Sequence, residues 1–306
     1  MKRVVVTGAS GFIGRQTLDL LADLNYEVHA ITRRKTFTSE RVHWHTCDLL
    51  EPRAAGALIT DIRPSHLLHL AWYTEHGKFW DSPMNANWVA ASLELLLAFG
   101  KSGGRRVTMA GTCAEYQWGH SERYLEGSLL IPHTFYGASK NALREIGERY
   151  ARVDGLSFAW GRVFLLYGPH EPPARLVPSV VKALLREERV ETTEGMQQRD
   201  FLHSADVSGA FVALLDSEVE GAVNIGSGEA VRIREVVLKL GHLLDRKDLL
   251  RVGARPMGPD DPSVLLPDDA TAGRSRVETE VGFSGGACRC YRMVAVPGNA
   301  RAAPDH

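Results

Sequence analysis

The chain has 306 residues, 44 % hydrophobic and 24 % charged, with a formal net charge of −1. That balance describes a globular protein with a large core, arranged as one large domain or two modest ones. It holds no basic excess for nucleic acid and no apolar run long enough for a bilayer, so neither partner is expected. Cys47, Cys113, Cys288 and Cys290 have neither disulfide-framework nor zinc-site spacing, and no metal is expected. Met1-Lys2-Arg3 runs straight into an apolar segment, which leaves no room for a signal peptide; a cytoplasmic enzyme is the expectation.

Val4-Val5-Val6 is a β-branched run suited to a strand buried on both faces of a parallel sheet. Thr7-Gly8-Ala9-Ser10-Gly11 supplies a tight turn. From Phe12 the pattern is helical, with Ile13, Leu18, Leu21, Ala22 and Leu24 as an apolar stripe. Bare glycines let the backbone approach a pyrophosphate, and the helix N-terminus offers free N–H groups and a positive dipole end. The candidate cofactor-binding residues here are Gly8, Ser10, Gly11, Phe12, Ile13 and Gly14.

The spacing Gly8-x-x-Gly11-x-x-Gly14 differs from the commoner G-x-G-x-x-G. It resembles the short-chain dehydrogenase/reductase superfamily, and Thr7-Gly-Ala-Ser-Gly-Phe-Ile-Gly14 resembles its extended branch, the NAD-dependent epimerase/dehydratase family of nucleotide-sugar enzymes. Later motifs extend the resemblance to about residue 283. Alternating strand and helix patterns agree with the α/β fold it implies, a doubly wound parallel sheet of Rossmann-like type.

Tyr26 to Thr32 reads as the second strand, followed by Arg33-Arg34-Lys35. An acid at this strand end takes the ribose 2′-hydroxyl of NAD, whereas arginine accommodates the 2′-phosphate of NADP. No Asp or Glu stands between Glu27 and Glu40. The cations also suit a solvated loop, but with the acid missing NADPH is favoured over NAD, with Arg33 and Arg34 on the phosphate. Val42 to Leu49 reads as the third strand. The resemblance places Asp48 and Leu49 beside the cofactor, and Asp48 equally suits a helix cap. His66 to Trp72 is the fourth strand, and its H-L-A end resembles the family's cofactor-lining segment, adding Leu70, Ala71 and Trp72. Asn87 opens a helix and resembles the family's structural asparagine, or is an ordinary polar helix start. The fifth strand is expected over Arg105 to Gly111, and a single strand over Leu156 to Gly168. The helices Asn87 to Phe99 and Tyr136 to Tyr150 are ones that such families pair across a two-fold axis, so a homodimer is expected.

Pro169, Pro172, Pro173 and Pro178 mark a change of texture. The expected organisation interleaves a dinucleotide-binding domain, 1–168 plus 204–226, with a smaller substrate domain, 169–203 plus 227–306. Val281-Gly282-Phe283 resembles a late family element, and from about 284 the tail loses apolar periodicity.

Tyr136-Gly-Ala-Ser-Lys140 sets a phenol and an ammonium at i and i+4, on one helix face. A phenol of pKa ~10 becomes a usable acid or base at neutral pH when a nearby cation stabilises the phenolate. The resemblance makes Tyr136 and Lys140 catalytic and cofactor-contacting, with Thr112 as the hydroxyl that holds the substrate oxygen. A 4,6-dehydratase of the family carries an acid pair after that Thr; here Cys113 and Ala114 stand there. Fucose-synthase-like enzymes place a cysteine two residues before the tyrosine matching Tyr116, whereas Cys113 lies three before it. Cys113 and Glu115 are candidate substrate contacts. Arg199-Asp-Phe-Leu-His-Ser-Ala-Asp-Val207 resembles a nucleotide-sugar signature whose arginine reaches the substrate diphosphate; the plainer role for Arg199 is an ion pair with Asp200 or Asp206. Leu176 and Val177 resemble a base-lining segment, and Leu165 stands where the family often has Asn. The expected activity is NADPH-dependent reduction of a nucleotide-activated 4-keto-6-deoxy sugar. The alternatives are a nucleotide-sugar 4-epimerase and a catalytically idle dinucleotide-binding module.

Overall fold

The computed structural model describes residues 2–33, 39–258 and 261–268, with the backbone of Thr279–Glu280 and Arg289–Cys290. Arg34, Lys35 and the Val281-Gly282-Phe283 element lie outside the described residues; of the tail from about 284, only Arg289–Cys290 is described, paired antiparallel with Thr279–Glu280.

In chain order the elements are β1 Lys2–Thr7, α1 Gly14–Asp23, β2 Tyr26–Thr32, β3 Val42–Thr46, α2 Ala54–Ile62, β4 His66–His69, α3 Met84–Lys101, β5 Arg106–Thr112, α4 Phe135–Asp154 and β6 Ser157–Val163. They continue as β7 Leu165–Tyr167, α5 Leu176–Leu185, β8 Val190–Thr192, β9 Gln198–Arg199, β10 Phe201–His203, α6 Ser204–Asp216, β11 Gly221–Ile225, β12 Val231–Arg232, α7 Ile233–Leu243, β13 Leu250–Val252 and β14 Val264–Leu265.

Seven parallel strands form the central sheet in the order β3-β2-β1-β4-β5-β6-β11. The order reverses at β1, and ligands bind at such a switch point, outside the carboxyl ends of the strands. Val4, Val5 and Val6 are fully buried because both faces of the sheet are covered. On one face α1 and α6 pack Leu18, Leu21, Phe211 and Leu215 against Val4 and Val6. On the other, α2, α3 and α4 pack Ile59, Leu95, Phe99 and Leu143 against Val5 and Leu67.

The expected single strand over 156–168 is two strands. Phe164 breaks it: its N–H donates to Ile225 O at 3.1 Å, and the chain leaves the central sheet to pair β7 with β10. Beyond this step a separate core joins α5, β8, α7 and β13 through Val180, Leu184, Val190, Val237 and Leu250. Among the described residues no helix is long and apolar enough to cross a membrane.

Candidate active site

A cavity of about 680 Å³ opens at the carboxyl ends of β1, β4 and β5 and runs from the glycine turn to Arg199. The turn is closed by Gly11 N–H donating to Gly8 O at 2.8 Å. Gly8 has φ +66°, and a Cβ there would stand 2.8 Å from Ala71 N; at Gly14 a Cβ would fall 2.2 Å from Gly8 O. Only glycine permits this approach of β1, its turn and β4. Thr7 fixes the same junction. Its hydroxyl accepts from Leu70 N and Ala71 N, both at 3.2 Å, and lies 2.7 Å from His69 Nδ1. With its lone pairs used, Thr7 donates to Nδ1, which assigns the Nε2–H tautomer to His69 and directs that hydrogen to Ser92 Oγ at 2.8 Å. Burial pushes the His69 imidazolium down to about 3, so the ring is neutral. In the sequence this histidine stands out only as part of H-L-A.

Gly8, Ser10, Gly11, Phe12, Ile13 and Gly14 line one end of the cavity, and Arg33, Leu49, Leu70, Ala71 and Trp72 continue its wall. Ser10 Oγ lies 3.3 Å from Thr32 Oγ1, tying the turn to β2. Asp48 takes the capping role that the sequence allows. Its carboxylate accepts from Leu50 N at 3.0 Å, a turn contact, while Cys47 and Leu49 on either side of it line the cavity. The glycine cradle, the start of α1 behind it and the depth of the cavity fit a dinucleotide.

Thr112, Tyr136 and Lys140 come together at the middle of the cavity. Thr112 ends β5 and caps a one-turn 3₁₀ helix, Cys113–Glu115, its hydroxyl accepting from Ala114 N at 3.2 Å. Tyr136 and Lys140 lie in the first two turns of α4, which Thr134 caps by accepting from Gly137 N at 3.1 Å. Tyr136 stands edge-on to Phe79, centroids 4.9 Å apart at 86°, and to Trp80 at 5.9 Å and 84°. Burial raises its phenol, against a hydrogen bond from Thr112 and the charge of Arg175, so the hydroxyl is protonated but a weak acid until a cation beside it stabilises the phenolate. Lys140 Nζ donates to Ala110 O at 2.7 Å, and burial lowers its ammonium to about 7 against the pull of Glu115.

Glu115 is not a substrate contact. It is fully buried, pairs with Arg162 Nε at 2.7 Å, and accepts from Thr112 N at 2.8 Å and Trp160 Nε1 at 2.9 Å. A buried guanidinium requires a carboxylate, so Glu115 faces the protein and locks the end of β5. Cys113 lines the cavity, and burial pushes its thiol up to about 12, which keeps it neutral. Asn87 is exposed; the buried asparagine is Asn85, because α3 starts earlier than the apolar pattern suggests.

At the far end Leu165, Leu176, Val177 and Arg199 all line the cavity. Arg199 pairs with neither Asp200 nor Asp206. Its Nη2 is bonded to Asp261, which also accepts from Gln197 Nε2 at 2.7 Å. Asp200 instead accepts from Ser227 N, Ser227 Oγ and Gly228 N at 2.9, 2.8 and 2.6 Å. Sequence reasoning missed Asp261, which lies in a proline-bounded stretch without periodicity, and missed Trp80, Trp118, Glu171 and Arg175 as cavity residues. Trp118 donates from Nε1 to Cys113 O at 3.1 Å and meets Trp80 edge-on at 6.0 Å. Among the described residues no group of three His, Cys, Asp or Glu side chains is arranged to hold a metal ion.

A family model described as the NAD dependent epimerase/dehydratase family matches residues 4–226. The chain belongs to this family. It is 26 % identical over 251 residues to CDP-abequose synthase of Salmonella typhimurium, covering 78 % of this chain and 79 % of that protein. A solved UDP-N-acetylglucosamine 4-epimerase from Methanobrevibacter ruminantium M1 superposes with a TM-score of 0.79 at 23 % identity, covering 87 % of this chain and 89 % of that one. MoeE5, solved in complex with UDP-glucuronic acid and NAD, gives a TM-score of 0.74 at 29 % identity, covering 87 % and 89 %. For a member of the epimerase/dehydratase family, the glycine cradle and the Thr112, Tyr136 and Lys140 group therefore stand in an enzyme fold whose neighbours include an NAD complex.

Proposed function

We propose that the protein is an NADPH-dependent reductase of a nucleotide-activated 4-keto-6-deoxy sugar, with Tyr136 as proton donor. The observation that carries this reading is that the middle of the cavity offers one proton relay. Cys113 is a neutral thiol, Ala114 has no titratable group, and Glu115 is committed to Arg162. Hydride transfer with a single proton fits that set, and chemistry needing a further acid and base beside Thr112 does not.

When bound, the dinucleotide supplies the hydride to the carbonyl carbon. Thr112 Oγ1 holds the carbonyl oxygen, and the Tyr136 phenol gives that oxygen its proton. The Lys140 ammonium stabilises the phenolate left behind and donates to the cofactor ribose. Arg199, exchanging Asp261 for the substrate diphosphate, offers a guanidinium fork of the right shape. In this reading the larger part of the fold holds the cofactor, and the smaller, interleaved part holds the nucleotide end. Arg33, on the cavity wall, supports a preference for the 2′-phosphate of NADPH. Exposed Leu97, Ile146 and Val153 on α3 and α4 support a homodimer across these helices, which light scattering tests.

The second reading is a nucleotide-sugar 4-epimerase, which the solved 4-epimerase fold and the family's NAD dependence favour. The purified protein, given NADPH and candidate nucleotide 4-keto-6-deoxy sugars, separates the readings. A reductase consumes NADPH in proportion to product, an epimerase turns over nucleotide sugars without net NADPH loss, and an idle module only binds.

A further inference from the structure

Trp72 follows the His69-Leu-Ala71 strand end and lines the cavity. Its ring carries the Lys140 ammonium, with Nζ 3.8 Å from the ring centroid. The indole is locked. Its Nε1 donates to Asn85 Oδ1 at 2.9 Å, and Trp88 packs against it with ring centroids 6.1 Å apart. Asn85 is fully buried and donates from Nδ2 to Phe79 O at 2.7 Å and Ser82 O at 3.1 Å. Carbonyl, indole, amide and helix start therefore form one fixed frame around a cation.

A second ring, Trp160, stands farther from the ammonium, with its centroid 5.9 Å from Nζ against 3.8 Å for Trp72, and among the described residues no free counter-charge faces it. Glu115 is near enough to favour the charge, but its oxygens are taken by Arg162, Trp160 and Thr112. His69 on β4 is neutral and so supplies no counter-charge. Tyr136, on the same helix, is a neutral phenol in the absence of ligands. The remaining hydrogen-bond partner is the Ala110 carbonyl, an uncharged dipole at 2.7 Å. A cation over the face of an indole is attracted by the ring quadrupole, most strongly where water is excluded.

We infer that Trp72 is a positioning residue: its indole face, held by Asn85, keeps the Lys140 side chain charged and fixed beside Tyr136. This rests on the proposed reading of Lys140 as the residue that serves the cofactor and the phenol.

The test is NADPH affinity of the full-length protein by fluorescence titration across pH, read against Lys140→Met. That variant lacks the ammonium, so titration of the cofactor phosphate cancels in the comparison. In the wild type the Lys140-dependent affinity falls as pH rises through the titration of the lysine. Trp72→Leu is expected to move that midpoint down by about one pH unit, the scale of a desolvated cation–π contact. Trp72→Phe, which restores a ring face, returns part of the shift, and Asn85→Ala, which frees the indole, gives a smaller downward shift. If Trp72→Leu does not fold, the Trp72→Phe and Asn85→Ala shifts carry the test. An unmoved midpoint in these variants, even with uniformly weaker binding, overturns the inference, because loss of packing or of a cofactor contact weakens binding equally at every pH. Lys140→Met with the affinity and pH dependence of the wild type overturns the underlying reading of Lys140 as well.

Discussion

The two ends of the cavity are built by different means. At the glycine end, backbone sets the shape: one turn, one strand junction, and positions where a single added carbon would collide with a carbonyl or an amide. At the Arg199 end, side chains from separate segments set it, and the central cation is already paired with Asp261. A backbone cradle leaves few side chains to vary. A side-chain lining changes residue by residue, and under the proposed function substrate choice resides there. The Thr112, Tyr136 and Lys140 group lies between them, held by backbone on one side and by aromatic rings on the other.

The largest effect is expected at that junction. Tyr136→Phe removes one hydroxyl and keeps the ring contacts with Phe79 and Trp80, so turnover should fall ~10²–10⁴-fold with NADPH affinity nearly unchanged. Steady-state kinetics with a cofactor titration check both halves. Glu115→Ala breaks the buried pair with Arg162 and should cost ~3–5 kcal/mol of stability in chemical denaturation, because a guanidinium is left buried alone. A loss below about 1 kcal/mol would return Glu115 to the cavity side of the comparison.

Arg199→Ala addresses the side-chain end alone. It should raise KM for the nucleotide sugar roughly 10–100-fold, the value of a charge-assisted hydrogen bond, and leave NADPH affinity as it was. Lys140 supplies a pH signature. Burial holds its ammonium at about 7 in the fold, against an ordinary value of 10.5 when unfolded. Between those values the unfolded chain holds a proton that the native state has lost, so stability of the ligand-free protein rises with pH across that window. Lys140→Met should flatten this rise in thermal melts. The smallest effect is at Arg33, exposed on the cavity wall, where Arg33→Ala should narrow a preference for NADPH over NADH by about five-fold, the scale of one exposed charge pair.

The comparison also explains what was legible in the sequence. The glycine turn, the alternation of strands and helices, and the Tyr136-x-x-x-Lys140 pair are local, so period and spacing expose them. Glu115 reads as a substrate contact in the sequence because a motif gives a position and not a direction: its carboxylate turns to Arg162, while that of Asp48 turns to Leu50 N, the local capping contact the sequence also allows. The sequence points to Asn87 and is silent on Asn85 because burial at a helix start depends on the loop over it, and Phe79 O and Ser82 O accept from the earlier residue. Asp261 reaches Arg199 from a segment distant in sequence, which no single-chain pattern reports, and Trp118, only five residues past Cys113, turns back onto it through a hydrogen bond that no periodicity marks. The break at Phe164 was hidden for a related reason, since Leu165 and Leu166 look like more strand whichever sheet they join.

The account's central claim is that a hydride ends in the product and its proton partner comes from Tyr136. The most direct measurement uses NADPH deuterated at the transferable position, a nucleotide 4-keto-6-deoxy sugar, and mass spectrometry of the product. The account predicts a product carrying one deuterium on the former carbonyl carbon, formed in step with NADPH loss and abolished with turnover in Tyr136→Phe. Epimerised nucleotide sugar without deuterium, at constant NADPH, would contradict it.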